Sequence, residues 1–251
     1  MTRTLLLLDV DGVLIHPVAY KAALGDVVSH FAIRMGQPPY GPTFDEIAVF
    51  EACGLTNEWD STPVCVAAML VAALEQAPHL AHNTLDATLD AIRTAQINIP
   101  RPDYTAETRA IQNAPDHNGS LPSLTYLALL TERVPPGWLP LLRELLGDIY
   151  SINTPTTRLF QTLTLGSETF AQVYEEPAPF ESDSFLLNRD QALLSINNRD
   201  RLVAENQAGG ATIYTARPSL PPQMSPARPP QTIHRKPNLP SGSLGWKATC
   251  R

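Results

Sequence analysis

Leu5-Leu6-Leu7-Leu8, followed at once by Asp9-Val10-Asp11-Gly12, constrains this chain more than any other stretch. Four consecutive leucines bounded by a turn signal predict a short strand buried on both faces, as the central parallel strand of an α/β sheet is. Two carboxylates then fall just beyond the strand's carboxyl end, the edge at which open α/β sheets collect ligands. Gly12 lets the backbone turn sharply there and lets a substrate or ion come close. An apolar strand that ends in Asp-x-Asp-Gly is costly unless a cation or hydrogen bonds compensate the charges. An ordinary polar strand-to-loop turn is the plain alternative.

Beyond Leu14 the chain changes character. His16-Pro17 turns the chain, and Tyr20, Leu24, Val27, Val28 and Phe31 recur at helical spacing over Val18–Phe31. Thr43 with Glu46 three residues later forms a capping-box pattern, so a helix is expected over Thr43–Cys53, stopped by Gly54. The polar stretch Gly54–Ser61 surrounds Trp59 and precedes an alanine-rich helix expected over Pro63–Ala77, with Asp60 or Ser61 as its N-cap. Further helices are expected over Leu85–Ile97, Tyr104–Asn113, Leu121–Glu132, Trp138–Ile149 and from Ser167 or Glu168 to Tyr174. Glu175–Asp183 is rich in Pro and acid and reads as a linker. His79, His82 and His117 lack the i, i+4 spacing of a helical metal pair and read as exposed loop residues.

The α/β pattern returns at Ser195–Gln207, a polar helix, followed by Gly209-Gly210 and the β-rich Ala211-Thr212-Ile213-Tyr214-Thr215. Strand, long crossover, helix and strand predict a parallel βαβ unit whose second strand lies beside the first. Thr215 then offers a hydroxyl and a backbone N–H at the same sheet edge as Asp9. Arg217, two residues on, reads either as a phosphate-binding guanidinium or as a surface charge.

Asp9-Val10-Asp11-Gly12-Val13-Leu14 resembles the first motif of the haloacid dehalogenase (HAD) superfamily, mostly Mg²⁺-dependent phosphatases with an aspartate nucleophile. Ile213-Tyr214-Thr215 resembles that family's second motif, an apolar strand ending in Ser or Thr. The resemblance implies an α/β, HAD-like parallel sheet with a large helical cap inserted after the first strand. It places the core at residues 1–16 and 181–222 and the cap at 17–180. It implies that Asp9 attacks phosphorus, that Asp11 acts as general acid and then base, that Asp9 and Asp11 hold Mg²⁺, and that Thr215 and Arg217 bind the phosphate of a small phosphorylated substrate. The chemistry suits these residue types: a carboxylate splits phosphoryl transfer into two steps through an acyl phosphate, a second carboxylate manages the protons, and Mg²⁺ takes few carboxylates, several waters and a phosphate. Capped members carry a similar Asn-x-x-Trp-Asp loop, so Asn57 and Asp60 are expected to hydrogen-bond the substrate.

The family's third motif, a lysine, and its fourth, acidic motif have no counterpart of comparable quality. No Asp or Glu follows Glu205, and Lys236 and Lys247 lie in a context without a buried strand. Residues 1–205 carry a charge of about −13 and residues 206–251 about +6. Eight of the 24 prolines fall within residues 218–240, so the tail at 223–251 cannot bury enough surface to offset its ordering entropy and is expected to be disordered. This abrupt change predicts a gene truncated or frame-shifted after the second motif, an incomplete sheet, and impaired phosphatase activity. A catalytically silent protein that binds a phosphorylated ligand or a partner is the alternative. Six scattered cations without interleaved aromatic residues argue against nucleic acid as the partner. Three cysteines without a CxxC pair fit a reducing, cytoplasmic setting, and no apolar run approaches the ~18 residues of a membrane span.

Overall fold

A computed structural model describes residues 4–115 and 120–216. The chain opens with β1 (Thr4–Asp9) and β2 (Ile15–His16), then runs through α1 (Ala19–Arg34), α2 (Phe44–Ala52), α3 (Glu58–Gln76), α4 (Leu85–Ala95), α5 (Tyr104–Gln112), α6 (Pro122–Arg133), α7 (Leu139–Leu146), α8 (Pro155–Leu165), α9 (Ser167–Tyr174) and α10 (Phe185–Asn188). It returns through β3 (Gln191–Ala192), α11 (Ile196–Gln207) and β4 (Ala211–Ala216). The architecture is mixed α/β and predominantly helical, with a small parallel sheet. Two compact units divide it: residues 19–188 form one, and the described residues before 19 and after 188 form the other. Arg217, Lys236, Lys247, His117 and the tail at 223–251 lie outside the described residues.

The helical unit is built around α3. Its residues from Trp59 to Val71 are buried without interruption, and α1, α5, α6, α7 and α8 all pack on it. Alanines at positions 67, 68 and 73 let neighbouring helices approach its axis. A second apolar layer comes from Leu141, Leu142, Leu145 and Leu146 of α7, all close to fully buried. The aromatic side chains Tyr20, Trp59 and Phe160 meet with ring centroids 5.7–5.9 Å apart. The sequence places the start of α3 too late. Neither Asp60 nor Ser61 caps it: Asn57 does, its side-chain oxygen accepting the Trp59 N–H at 3.0 Å. Pro63 lies in the second turn, where its lost N–H deprives the Trp59 carbonyl of the usual helical donor. Burial of this turn outweighs that cost.

At α2 the capping box forms as the sequence pattern suggests: Thr43 Oγ1 accepts the Glu46 N–H at 3.2 Å, and Glu46 Oε2 accepts the Thr43 N–H at 2.7 Å. Arg101 closes on the same carboxylate at 2.6 Å. Its hydrogen bonds hold the Glu46 carboxyl below the usual range.

In the other unit β1 pairs with β4 in parallel, from Thr4↔Ala211 through Leu8↔Thr215 to Asp9↔Ala216. The connection between them carries α11, which packs on β4. A second, two-residue antiparallel pair joins β2 to β3. The expected burial of β1 on both faces does not occur. Leu6 and Leu8 are half-buried, whereas Leu5 is 68% and Leu7 70% exposed. Register puts Leu6, Leu8, Ala211 and Ile213 on one face, and Leu5, Leu7 and Tyr214 on the other. The leucine run supplies apolar side chains to both faces; among the described residues, only the first of those faces is covered.

Gly166 links α8 to α9 at φ +80° and ψ 154°, a region that essentially only glycine occupies. A Cβ there comes within 2.8 Å of the Ser184 backbone nitrogen and 3.2 Å of the Ser182 carbonyl oxygen. Gly166→Ala is expected to destabilise the protein by about 2–3 kcal/mol through strain and displaced backbone. Urea unfolding followed by helical circular dichroism measures this. Gly137→Ala is the control, since its Cβ enters open space, and it should stay within about 0.5 kcal/mol of the parent.

Candidate functional site

Asp9 is the last residue of β1, and the chain reverses immediately after it. The Val10 carbonyl oxygen accepts from both the Leu14 and the Ile15 N–H at 3.0 Å, and the Gly12 N–H donates to the Ile15 carbonyl at 2.8 Å. Gly12 takes φ +77° to make this turn. β3 then holds the outgoing arm: the Leu193 N–H donates to the Leu14 carbonyl at 2.9 Å, and the Val18 N–H donates to Asp190 Oδ1 at 2.9 Å. Asp9 is exposed and Asp11 half-buried at the two sides of this reversal.

Thr215 is the partner of Leu8 and lies one position before the end of β4. The parallel register therefore brings Asp9 and Thr215 to the same end of the same sheet, with Asp11 in the turn just beyond. Strand alternation sends the Asp9 side chain to one face and the Thr215 side chain to the other. A group held by both sits beyond the strand ends, where the Ala216 position and the turn also present backbone polar groups. Arg217, the next residue of interest, falls outside the described residues.

Asn57 and Asp60 belong to the helical unit. Asn57 caps α3 and also donates through Nδ2 to the Tyr150 hydroxyl at 3.4 Å. Asp60 is 3% exposed, and its Oδ1 accepts the Ser123 N–H at 3.1 Å. Ser123 is the second residue of α6, whose own N-cap, Leu121, has no capping side chain. The Asp60 carboxylate thus serves as a cap delivered from α3, a job that the positive end of the helix favours. Burial pushes its carboxyl up, and the Ser123 N–H opposes that shift. Sequence reasoning missed Tyr150 and Asp190, both of which act through partners distant in the chain.

A groove of about 650 Å³ lies elsewhere in the helical unit, between α1 and α8. It is lined by Asp26, His30 and Arg34 on one side and by Leu159, Leu163 and Phe180 on the other. Burial and the adjacent Arg34 guanidinium lower the pKa of His30. Among the described residues, no three His, Cys, Asp or Glu side chains gather as a metal site. Nor is any helix there long and apolar enough to cross a membrane.

No family model and no curated protein matches the chain. One solved crystal structure, described as a Northeast Structural Genomics Consortium target without a stated function, has a similar fold at a TM-score of 0.60 and 13% identity. The likeness covers 86% of this chain and 63% of that one. At such identity it speaks for the fold alone.

Asp60 makes the stability of the helical unit depend on pH. A carboxyl whose folded pKa is raised contributes stability that is fully present below the unfolded value, near 3.9, and is lost as pH rises through the folded value. Asp60→Asn keeps the acceptor for Ser123 and removes the charge. Relative to the parent, the variant should therefore gain stability as pH rises from about 4. Thermal melts of both proteins at a series of pH values test this, since the other carboxylates titrate equally in each. A stability difference that does not vary with pH contradicts it.

Proposed function

We propose that the chain is a HAD-like hydrolase of phosphate monoesters, with Asp9 as nucleophile. The observation that supports it most is the β1–β4 register. It sets an exposed carboxylate at the end of one parallel strand and a threonine at the end of its neighbour, followed by the Gly12 turn that carries a second carboxylate. In this reading residues 1–16 and 181–222 form the core, and the helical stretch 17–180 is its cap.

The reaction is dictated by the residue types. Asp9 attacks phosphorus in line; an Asp9 Oδ–P bond forms while the P–O bond to the leaving group breaks. Asp11 gives its proton to the departing oxygen, then removes one from the water that attacks the aspartyl phosphate and regenerates Asp9. Thr215 donates its hydroxyl to a phosphoryl oxygen, and Arg217 adds charge for the same group. Two carboxylates one residue apart are a donor set that Mg²⁺ accepts, because that ion keeps several waters and takes a substrate phosphate. Asp9 and Asp11 would hold it, and it supplies positive charge that offsets the approach of an anion to a carboxylate.

A silent phospho-ligand binder is the second reading. It is favoured by the fact that no Asp or Glu follows Glu205 to add a further carboxylate.

Hydrolysis of p-nitrophenyl phosphate with Mg²⁺ tests the proposal. Turnover is expected, far slower than that of a complete family member because the third and fourth motifs have no evident counterpart. Asp9→Asn should lower it by about 10³-fold or more, as loss of a nucleophile does. Thr215→Ala should lower it by about tenfold or more through loss of one phosphate donor. Equal turnover in the parent and Asp9→Asn overturns the nucleophile assignment. Phosphate binding without turnover favours the second reading.

A further inference from the structure

The turn that carries Asp11 is fastened at a point where its ladder cannot continue. In the β2–β3 pair Ile15 lies opposite Ala192 and His16 opposite Gln191, and the Leu193 N–H donates to the Leu14 carbonyl at 2.9 Å. The same antiparallel register sets Pro17 opposite Asp190. Proline has no N–H to give, so the backbone ladder stops there. The next donor along the chain is the Val18 N–H, and Oδ1 of Asp190 accepts it at 2.9 Å. A side chain thus adds a bond where the backbone ladder ends, and a hydrogen bond to an ionised carboxylate is stronger than a neutral one.

From Val18 the linkage runs back to Asp11 through the backbone. The Ile15 carbonyl accepts the Gly12 N–H at 2.8 Å, and the Val10 carbonyl accepts the Leu14 and Ile15 N–H groups at 3.0 Å. Asp11 itself bridges to Ile15. The residues on either side of Asp11 are therefore held by Leu14 and Ile15, the same two residues that the β3 arm holds. We propose that Asp190 is a positioning residue for Asp11: it ties down the outgoing arm of the turn, so that the second carboxylate keeps its place beside Asp9. The chemical consequence rests on the phosphatase reading, in which Asp11 gives a proton to the leaving oxygen.

The two carboxylates depend on Asp190 to different degrees. Asp9 ends β1, whose place is set by six paired positions along β4. Asp11 lies past the strand, in the turn, and a ladder as short as β2–β3 is marginal by itself. Loss of the Val18–Asp190 bond therefore loosens Asp11 while Asp9 stays where β4 puts it. Attack on phosphorus is spared, and proton delivery is not, because an acid must lie within hydrogen-bond reach of the oxygen it protonates. The difference is visible in the leaving group. Phenolate is basic and departs with a proton from Asp11, whereas p-nitrophenolate departs without one.

Amide hydrogen exchange and phosphatase kinetics on the full 251-residue chain test the proposal together. In Asp190→Ala the Gly12, Leu14 and Ile15 amides should exchange at least ~tenfold faster than in the parent, with the amides of α3 unchanged. Its kcat for phenyl phosphate should fall at least ~tenfold, and its kcat for p-nitrophenyl phosphate by less than ~threefold. Asp190→Asn keeps an acceptor oxygen for the Val18 N–H and should return both readouts to within ~threefold of the parent. Far-UV circular dichroism accompanies each variant. If Asp190→Ala unfolds the chain, Asp190→Ser, one bond shorter than the parent side chain, takes its place with the same outcomes expected. Exchange at the three amides within ~twofold of the parent overturns the proposal, whatever the chain hydrolyses. An equal loss with both phosphates, or an Asn variant no better than the Ala one, also overturns it. Turnover unchanged by Asp9→Asn removes the phosphatase reading instead, and faster exchange at the three amides then assigns Asp190 to the turn without it.

Discussion

The parallel pairing of β1 with β4 is the constraint on which the candidate site depends. Parallel neighbours cannot be joined by a hairpin, so a crossover must separate them, and here that crossover contains every helix from α1 to α10. Closing so long a loop costs chain entropy that grows slowly with length. The helical unit lowers that cost by folding on itself. Its first helix, α1, packs against its last, α10, so the chain leaves the unit close to where it entered. The Val18 N–H to Asp190 bond and the β2–β3 pair then fasten the two returning arms together.

The helical unit can play this part because its core tolerates polar side chains without leaving most of them unsatisfied. Thr62, Thr88, Thr108, Thr162 and Thr164 are all buried, and each hydroxyl donates to the carbonyl four residues earlier, at 2.6–3.0 Å. This back-bonding lets a threonine occupy an interior helical position at small cost. Gln37 does similar work between segments: its Oε1 accepts the Ile99 N–H and its Nε2 donates to the Ile97 carbonyl. A backbone stretch without secondary structure is thereby held against α1. Asp60 belongs to the same pattern, a buried carboxylate used to end another helix.

Local signals are legible in the sequence: the Thr43–Glu46 box, the Pro and Gly punctuation between helices, and the two strand ends that carry Asp9 and Thr215. Each depends on residues within one or two turns of one another. The start of α3 is not legible in this way, because Pro63 resembles a first-turn proline and Asn57-Glu58-Trp59 resembles a loop. Burial of Trp59 and Asp60 against distant elements decides that boundary instead. The leucine run marks a strand correctly and its burial on both faces wrongly, since burial depends on layers that composition does not reveal. β3, only two residues long, and its neighbour Asp190 have no pattern of their own, being defined by what they pair with. Asn57 and Asp60 stand out as polar residues, but their bonds to Tyr150 and Ser123 span 93 and 63 positions.

The two units differ in how firmly they hold their residues, and that difference bears on the chemistry. The helical unit has a continuous core from α1 to α8, whereas α11 buries none of its residues and Ala211 is the only one of Thr4–Asp9 and Ala211–Thr215 to be fully buried. Among the described residues this sheet has two strands, and a two-stranded sheet with so little burial has small stability of its own. Regions with few buried apolar contacts open at low free-energy cost, so the strand ends would wander if the two arms at Val18 and Asp190 were not joined. Catalytic and binding groups lose effect when displaced by as little as ~1 Å. Positional accuracy at Asp9 and Thr215 therefore comes from contacts within the same unit: the turn at Val10–Ile15, the bond from the Val18 N–H to Asp190 and the β2–β3 pair.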